Sequence, residues 1–178
     1  MAKRVILLGA GHAHLRAIAE AATFTGRGHE LVVVAPDRFW YSGLATGMLG
    51  GEYPPELDQI DVAALAARGG GRFVEGSLAR LDPGRRMLHL ADGTALAYDA
   101  LSVNLGSEPP AIAGEAECPD AFRVKPIRRL AELRAALERR WQADPGRAVA
   151  VVVAGGGATA CELAANLRWS WHPPTQAL

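Results

Sequence analysis

Two short stretches of the chain, Val5–Leu8 and Leu31–Val34, are apolar without alternation. Such runs predict strands buried on both faces, as in a parallel sheet, because a strand with one wet face would alternate. Between them, from His12 to about Phe24, the pattern becomes alanine-rich, with Leu15, Ile18, Ala19 and Ala22 on one helical face. Strand, glycine turn, helix and strand together make a βαβ unit. From Arg38 to Tyr53, through "FWYSGLATGMLGGEY", no clean period survives, which predicts a loop or irregular helix. "PPELDQIDVAALAARGG" begins at a Pro-Pro break and predicts a helix ending at Gly69–Gly71.

The pattern then turns β-like. "RFVEGSLARLD", "RRMLHLADG" and "TALAYD" are short segments divided by the turn signals Pro83-Gly84 and Asp92-Gly93. "ALSVNLG" (Ala100–Gly106) predicts a further buried strand ending on glycine. Ser107–Pro126 is proline-rich and aperiodic, so it reads as a linker or crossover. "IRRLAELRAALERRW" (Ile127–Trp141) predicts an amphipathic helix with Leu130, Leu133, Leu137 and Trp141 on its apolar face and a solvated charged face opposite. After the "DPGR" break, Ala148–Leu167 repeats the motif of strand, glycine turn and helix. The fold class expected is α/β: a Rossmann-like domain with an inserted β meander, followed by the start of a second Rossmann-like domain.

Composition adds exclusions more than assignments. At 178 residues the chain suffices for one ordinary domain and part of another. Its formal net charge of zero lacks the footprint of a nucleic-acid or anionic-membrane binder. Cys118 and Cys161 are far apart and form neither a disulfide framework nor a metal motif; a buried, inert thiol is expected for Cys161. The apolar run after the basic start is too short for a signal peptide, and no stretch approaches the ~18 apolar residues of a membrane span. A cytoplasmic protein is expected, with no metal site.

The chemistry lies in the two glycine turns. Gly9 permits a sharp turn off the first strand, and Gly11, lacking a side chain, lets a pyrophosphate approach the backbone at a helix N-terminus. The third glycine of this fingerprint is replaced by His14, which fits if the helix sits slightly further out or the ring turns outward. His12 and His14 either cap and pack at the helix start or place a ring near the bound cofactor. A lone histidine has many ordinary explanations, so packing is preferred. The ribose-binding acid expected at the end of the second strand is Ala35; Asp37, two residues on, either substitutes for it or starts a turn. The second copy, Gly155, Gly157 and Ala160, matches GxGxxA and is followed by Glu162. One such fingerprint is weak evidence, whereas two, each after an apolar run and before a helix, are much stronger.

With both fingerprints in place the chain resembles the FAD-dependent pyridine nucleotide–disulfide oxidoreductase superfamily. "YDALSVNLGSEPP" (Tyr98–Pro110) is similar to that family's segment ending in Ala-Thr-Gly, with Asn104-Leu105-Gly106 in its place. "GAGHAH" (Gly9–His14), "YSGLATG" (Tyr41–Gly47), "VKPI" (Val124–Ile127) and "LAYDALSVNLGS" (Leu96–Ser107) resemble the branch of type II NADH dehydrogenases and sulfide:quinone reductases. Within it, they are most similar to the flavoprotein module fused to selenide, water dikinase.

The resemblance implies that Gly9, Gly11 and the backbone of His12–His14 hold the FAD pyrophosphate, with Asp37 near the adenosine ribose and the Leu78 backbone near the adenine. It implies that Gly106 lets the crossover pass close to the cofactor and that the Tyr41–Gly47 loop approaches the flavin. Gly155, Gly157, Ala160 and Glu162 would belong to an NAD(P)H site. No acid–base residue is implied, because the flavin carries the chemistry. The family's redox cysteine pair is absent after the second strand, which leaves NAD(P)H oxidation with a quinone or another small acceptor.

The expected domains are an FAD-binding portion at 1–110, a crossover and helix at 111–147, and the first βα unit of a truncated NAD(P)-binding domain at 148–178. Peripheral docking at the inner membrane stays open. Two alternatives stand beside a flavin oxidoreductase. One is a non-catalytic nucleotide-binding remnant acting through a partner; the other is a single-cofactor NAD-dependent Rossmann dehydrogenase.

Overall fold

The computed structural model describes residues 1–36 and 38–170. Its first half runs β1 (Arg4–Leu8), α1 (His12–Ala19), α2 (Ala22–Thr25), β2 (Glu30–Ala35), β3 (Phe39–Trp40), α3 (Ala45–Leu49), a 3-10 turn (Pro55–Asp58) and β4 (Gln59–Ile60). There follow α4 (Val62–Arg68), β5 (Arg72–Glu75), β6 (Leu78–Asp82), β7 (Met87–Leu90), β8 (Ala95–Ala97), β9 (Ala100–Val103), α5 (Arg128–Ala143) and α6 (Ala158–Ser170). The chain divides into two compact units, Met1–Phe39 with Ile60–Gly106, and Trp40–Gln59 with the chain from Ser107 onward. The excursion between β3 and β4 therefore groups with the second unit.

The first unit is built on a four-stranded parallel sheet in the order β5-β2-β1-β9. The non-alternating runs find their reason here, because β1 and β2 bury both faces. Leu7, Leu31, Val33 and Ala35 pack with Ile18, Ala21, Val62 and Ala66 of the helical layer. Ile6, Leu8, Val32 and Val34 pack on the other side with Leu88, Leu90 and Leu96. Those last three come from the antiparallel meander β6-β7-β8, where β7 alternates buried and half-buried positions as a one-faced strand should.

Two expectations change in this unit. The first helix is two, α1 and α2, and its inner face is His14, Ile18 and then Ala21, while Ala19 and Ala22 are exposed. The helix expected within the segment after Pro-Pro is α4, which ends at Gly69 as expected; Asp61 caps its start by accepting the Ala64 N–H at 2.9 Å. β9 is not a buried strand: it closes one edge of the sheet, and Ser102 and Val103 are exposed.

In the second unit, Ala45, Met48 and Leu49 of α3 pack with Leu130 of α5 and Leu163 of α6. The Arg134 side chain on α5 donates to the carbonyls of Met48 (2.8 Å) and Tyr53 (2.7 Å) and pairs with Glu138 at 2.7 Å. Those bonds hold the C-terminal end of α3 and the Tyr53 turn, which have no regular ladder of their own. Trp141 is 43% exposed, so the apolar face of α5 ends at Leu137.

The strand expected at Ala148–Val153 does not form. Val149, Val151 and Val152 are exposed, the last at 91%. A parallel strand is stable only between hydrogen-bonding neighbours with both faces covered, and no described residue pairs with this segment. The helix after it does form, running to Ser170 with Leu163 buried. Cys161 lies exposed on α6, against the expectation of a buried thiol, because this helix is covered along one narrow stripe only.

Candidate functional site

The glycine turn stands at the carboxyl end of β1, where the sheet order switches from β2 on one side to β9 on the other. Crevices for ligands open at such a point in doubly wound sheets. Gly9 has φ +85°, a conformation that glycine adopts without penalty, and donates its N–H to Val34 O at 2.7 Å. A Cβ on Gly9 would lie 2.3 Å from the carbonyl oxygen of Asn104. Asn104 prolongs the β1–β9 pairing beyond the strand ends: its N–H donates to Leu8 O at 2.9 Å, and its carbonyl accepts from Gly11 N–H at 3.3 Å. A Cβ on Gly11 would meet the Asn104 side chain, with Oδ1 only 1.8 Å away.

Helix α1 starts directly from this turn. Gly11 is its N-cap, no side chain caps it, and its first turn holds no acidic residue. Nothing in the helix itself therefore repels an anion from the positive end of its dipole. His12, the first helical residue, is exposed, and its ring meets Phe39 edge-to-face with centroids 4.9 Å apart.

His14 does not turn its ring outward, one of the two routes expected for it: the ring points inward and is 4% exposed. Its Nδ1 lies 2.6 Å from Gly9 O, and its Nε2 lies 2.8 Å from Ser102 Oγ. A carbonyl oxygen can only accept, so Nδ1 carries the hydrogen; in the neutral ring Nε2 then accepts from the Ser102 hydroxyl. The residue that replaces the third glycine is thus a bracket between the glycine turn and β9. Both ring nitrogens are committed, which favours packing over cofactor contact for this side chain.

The other expected residues are distributed as follows. Ala35 is buried and accepts from Gly76 N–H at 2.9 Å, while Asp37 lies outside the described residues. Leu78 opens β6, opposite Leu90, and packs half-buried under the sheet. Gly106 is exposed, and a Cβ there would meet nothing. In the second unit, Gly155 (φ +134°), Gly157, Ala160 and Glu162 line the start of α6, where Ala160 N–H donates to Gly157 O at 3.0 Å. A Cβ on Gly155 or Gly157 would meet no closer atom than Ala160 Cβ at 3.9 Å. The first glycine turn is tightly packed and the second is open.

Asn104 was legible only as a departure from a motif, and its contact with Gly11 had no signal in the pattern. A second unforeseen residue is Asp58, at the end of the 3-10 turn in the second unit. It is fully buried, both carboxyl oxygens lack a partner, and burial alone lifts its pKa from 3.8 to about 6. The Trp40 indole N–H is buried without a partner in the same unit. Among the described residues no group of three or more His, Cys, Asp or Glu side chains could hold a metal ion, and no helix is long and apolar enough to cross a membrane.

Comparison with known proteins bears on this geometry. A family model described as pyridine nucleotide-disulphide oxidoreductase matches residues 3–170. The chain is 28% identical over 169 residues to the probable ferredoxin reductase CtmF of Castellaniella defragrans, which covers 93% of this chain and 39% of that protein. It thus spans about two fifths of that relative's length. Among solved structures, the water-forming NADH oxidase of Lactobacillus brevis superposes with a TM-score of 0.74 at 20% identity, over 96% of this chain and 38% of that one. The NADH:rubredoxin oxidoreductase of Clostridium acetobutylicum gives 0.71 at 17% identity, over 96% and 43%. These two structural likenesses speak for the fold.

Proposed function

The chain belongs to the pyridine nucleotide-disulphide oxidoreductase family, and we propose that its first unit binds FAD and that it works in electron transfer from NAD(P)H to an acceptor. The observation carrying this reading is the Gly9–Gly11 turn at the switch point of a parallel sheet, opening onto an uncapped helix N-terminus free of acidic side chains. Those features suit the diphosphate of a dinucleotide. Gly9, Gly11 and the backbone of His12–His14 would hold it, with Leu78 and Gly106 contributing backbone nearby. When bound, the flavin supplies the hydride and electron chemistry. This chain's residues bind and orient it: the His14 bracket keeps the glycine turn in register with β9, and the sheet fixes the direction of α1.

The finer readings belong to the same proposal. The acceptor is a quinone or another small molecule, and the motifs around Gly9, Tyr41, Lys125 and Tyr98 speak for the type II NADH dehydrogenase and sulfide:quinone reductase branch, nearest the module fused to selenide, water dikinase. Gly155, Gly157, Ala160 and Glu162 are the proposed NAD(P)H contacts. Work in the cytoplasm, with peripheral docking at the inner membrane as its variant, completes it.

One observation favours a second reading, a nucleotide-binding chain that does not turn over by itself. The segment leading to Gly155 is exposed and unpaired, so the second fingerprint lacks the strand that would aim it. Visible absorption of the purified chain, before and after incubation with FAD and desalting, tests both. Retained oxidised-flavin bands that NADH bleaches support the oxidoreductase; retained bands that NADH leaves unchanged support the second reading. A protein that retains no FAD overturns both.

A further inference from the structure

The space above the Gly11 backbone, where a diphosphate would come closest, is occupied by the carboxamide of Asn104. A Cβ on Gly11 would lie 1.8 Å from Asn104 Oδ1 and 2.7 Å from its Cγ, so the amide group rests directly on the turn. The Asn104 backbone is fully used, its N–H on Leu8 O and its C=O on the Gly11 N–H. The side chain is half-buried and enters no hydrogen bond among the described residues. An amide in that condition has unspent donor and acceptor capacity beside a candidate anion site. Any diphosphate reaching Gly11 must either displace this group or be bound by it.

Resting on the reading that the glycine turn takes a dinucleotide, we propose that the Asn104 carboxamide is a ligand of its diphosphate. The argument is one of charge and position. The backbone of Asn104 is pinned on both sides, so the amide moves only about its own side-chain torsions. A half-turn about the last of these exchanges Oδ1 for Nδ2 at little steric cost and presents N–H donors to a phosphate oxygen. A neutral donor suits an anion at a helix N-terminus, whereas a carboxylate of the same shape would oppose both the phosphate and the helix dipole. The fingerprint of this chain therefore includes a residue about ninety positions beyond its glycines.

The test is FAD titration, followed by quenching of flavin fluorescence, on the wild-type chain, Asn104→Ala and Asn104→Asp, with circular dichroism confirming the fold of each. A ligand role predicts that Kd rises about tenfold in Asn104→Ala, the loss of one hydrogen bond to a charged group, and further still in Asn104→Asp. If the amide is only an obstacle, Asn104→Ala binds FAD as well as or better than wild type, and the proposal is overturned. Asn104→Asp keeps the shape that packs on Gly11, so it decides the matter if the alanine variant unfolds; an unchanged Kd there also overturns the proposal. The two levels separate cleanly. A wild-type chain without measurable FAD binding removes the reading of the turn itself, whereas wild-type binding with indifferent variants removes the role of Asn104 alone.

Discussion

Replacing Asp58 by asparagine should stabilise the second unit at neutral pH, although it removes a charge from a protein that is electrically balanced. The native carboxyl is fully buried with no partner for either oxygen, and burial alone holds its pKa at about 6 against 3.8 when exposed. The sign follows from proton linkage. In the unfolded chain Asp58 ionises near 3.8, and in the folded chain it keeps its proton until about 6. The folded state therefore binds more protons through this window, and stability falls as pH rises across it. Below the window both states are protonated and the group is nearly neutral in effect. Above it the full penalty is in place: the gap between 3.8 and about 6 amounts to about 3 kcal/mol at 1.36 kcal/mol per pH unit. Asparagine has nearly the same shape and no charge to bury. Its variant should match wild type near pH 4 and exceed it by about 3 kcal/mol above pH 7. Urea unfolding followed by tryptophan fluorescence reports this directly, since among the described residues the tryptophans, Trp40, Trp141 and Trp169, all fall within the second unit. A variant less stable than wild type at pH 7, or a difference that does not change with pH, would refute the account.

Restoring the third fingerprint glycine, His14→Gly, should destabilise the first unit by about 2 kcal/mol or more, because Gly9 O and Ser102 Oγ lose their partner and a buried ring is deleted; urea melts followed by circular dichroism measure it. Gly9→Ala should cost about 3 kcal/mol or more, combining a left-handed φ with a Cβ 2.3 Å from a backbone oxygen that cannot swing aside, and soluble yield with thermal melting will show it. Arg134→Ala should lower the stability of the second unit by about 2 kcal/mol through the loss of its bonds to Met48 O and Tyr53 O, read by tryptophan fluorescence in urea. By contrast Glu30→Gln, at a half-exposed ion pair with Arg4 and Arg72, should change stability by less than about 1 kcal/mol, a difference that shrinks in high salt.

Much of the first unit was legible because its signals are local or periodic. Val5–Leu8 and Leu31–Val34 could only be strands covered on both sides, and the turn dipeptide Asp92-Gly93 places a meander bend with Gly93 at φ +89°. What periodicity misses is relative position in the sheet. "ALSVNLG" has the composition of a buried strand, yet its place at the end of the order β5-β2-β1-β9 leaves Ser102 and Val103 exposed. The valines near residue 150 fail for the same reason in stronger form. Their composition favours a strand, but a strand is a relation to a neighbour, and no described residue supplies one.

The sequence by itself determined the α/β class, the two glycine turns and the family, because these depend on residue types at fixed spacing along a short stretch. Only the tertiary structure decided what fills the first turn. His14 reads as a broken fingerprint in one dimension and is a bracket in three, since Ser102, its second partner, lies 88 residues away. Asn104 reads as a departure from a motif and proves to be the group against which Gly9 and Gly11 must be glycine. Both facts arise from β9 lying beside β1, a parallel pairing across nearly the whole first unit, and no local pattern encodes which side chains such a pairing brings into contact.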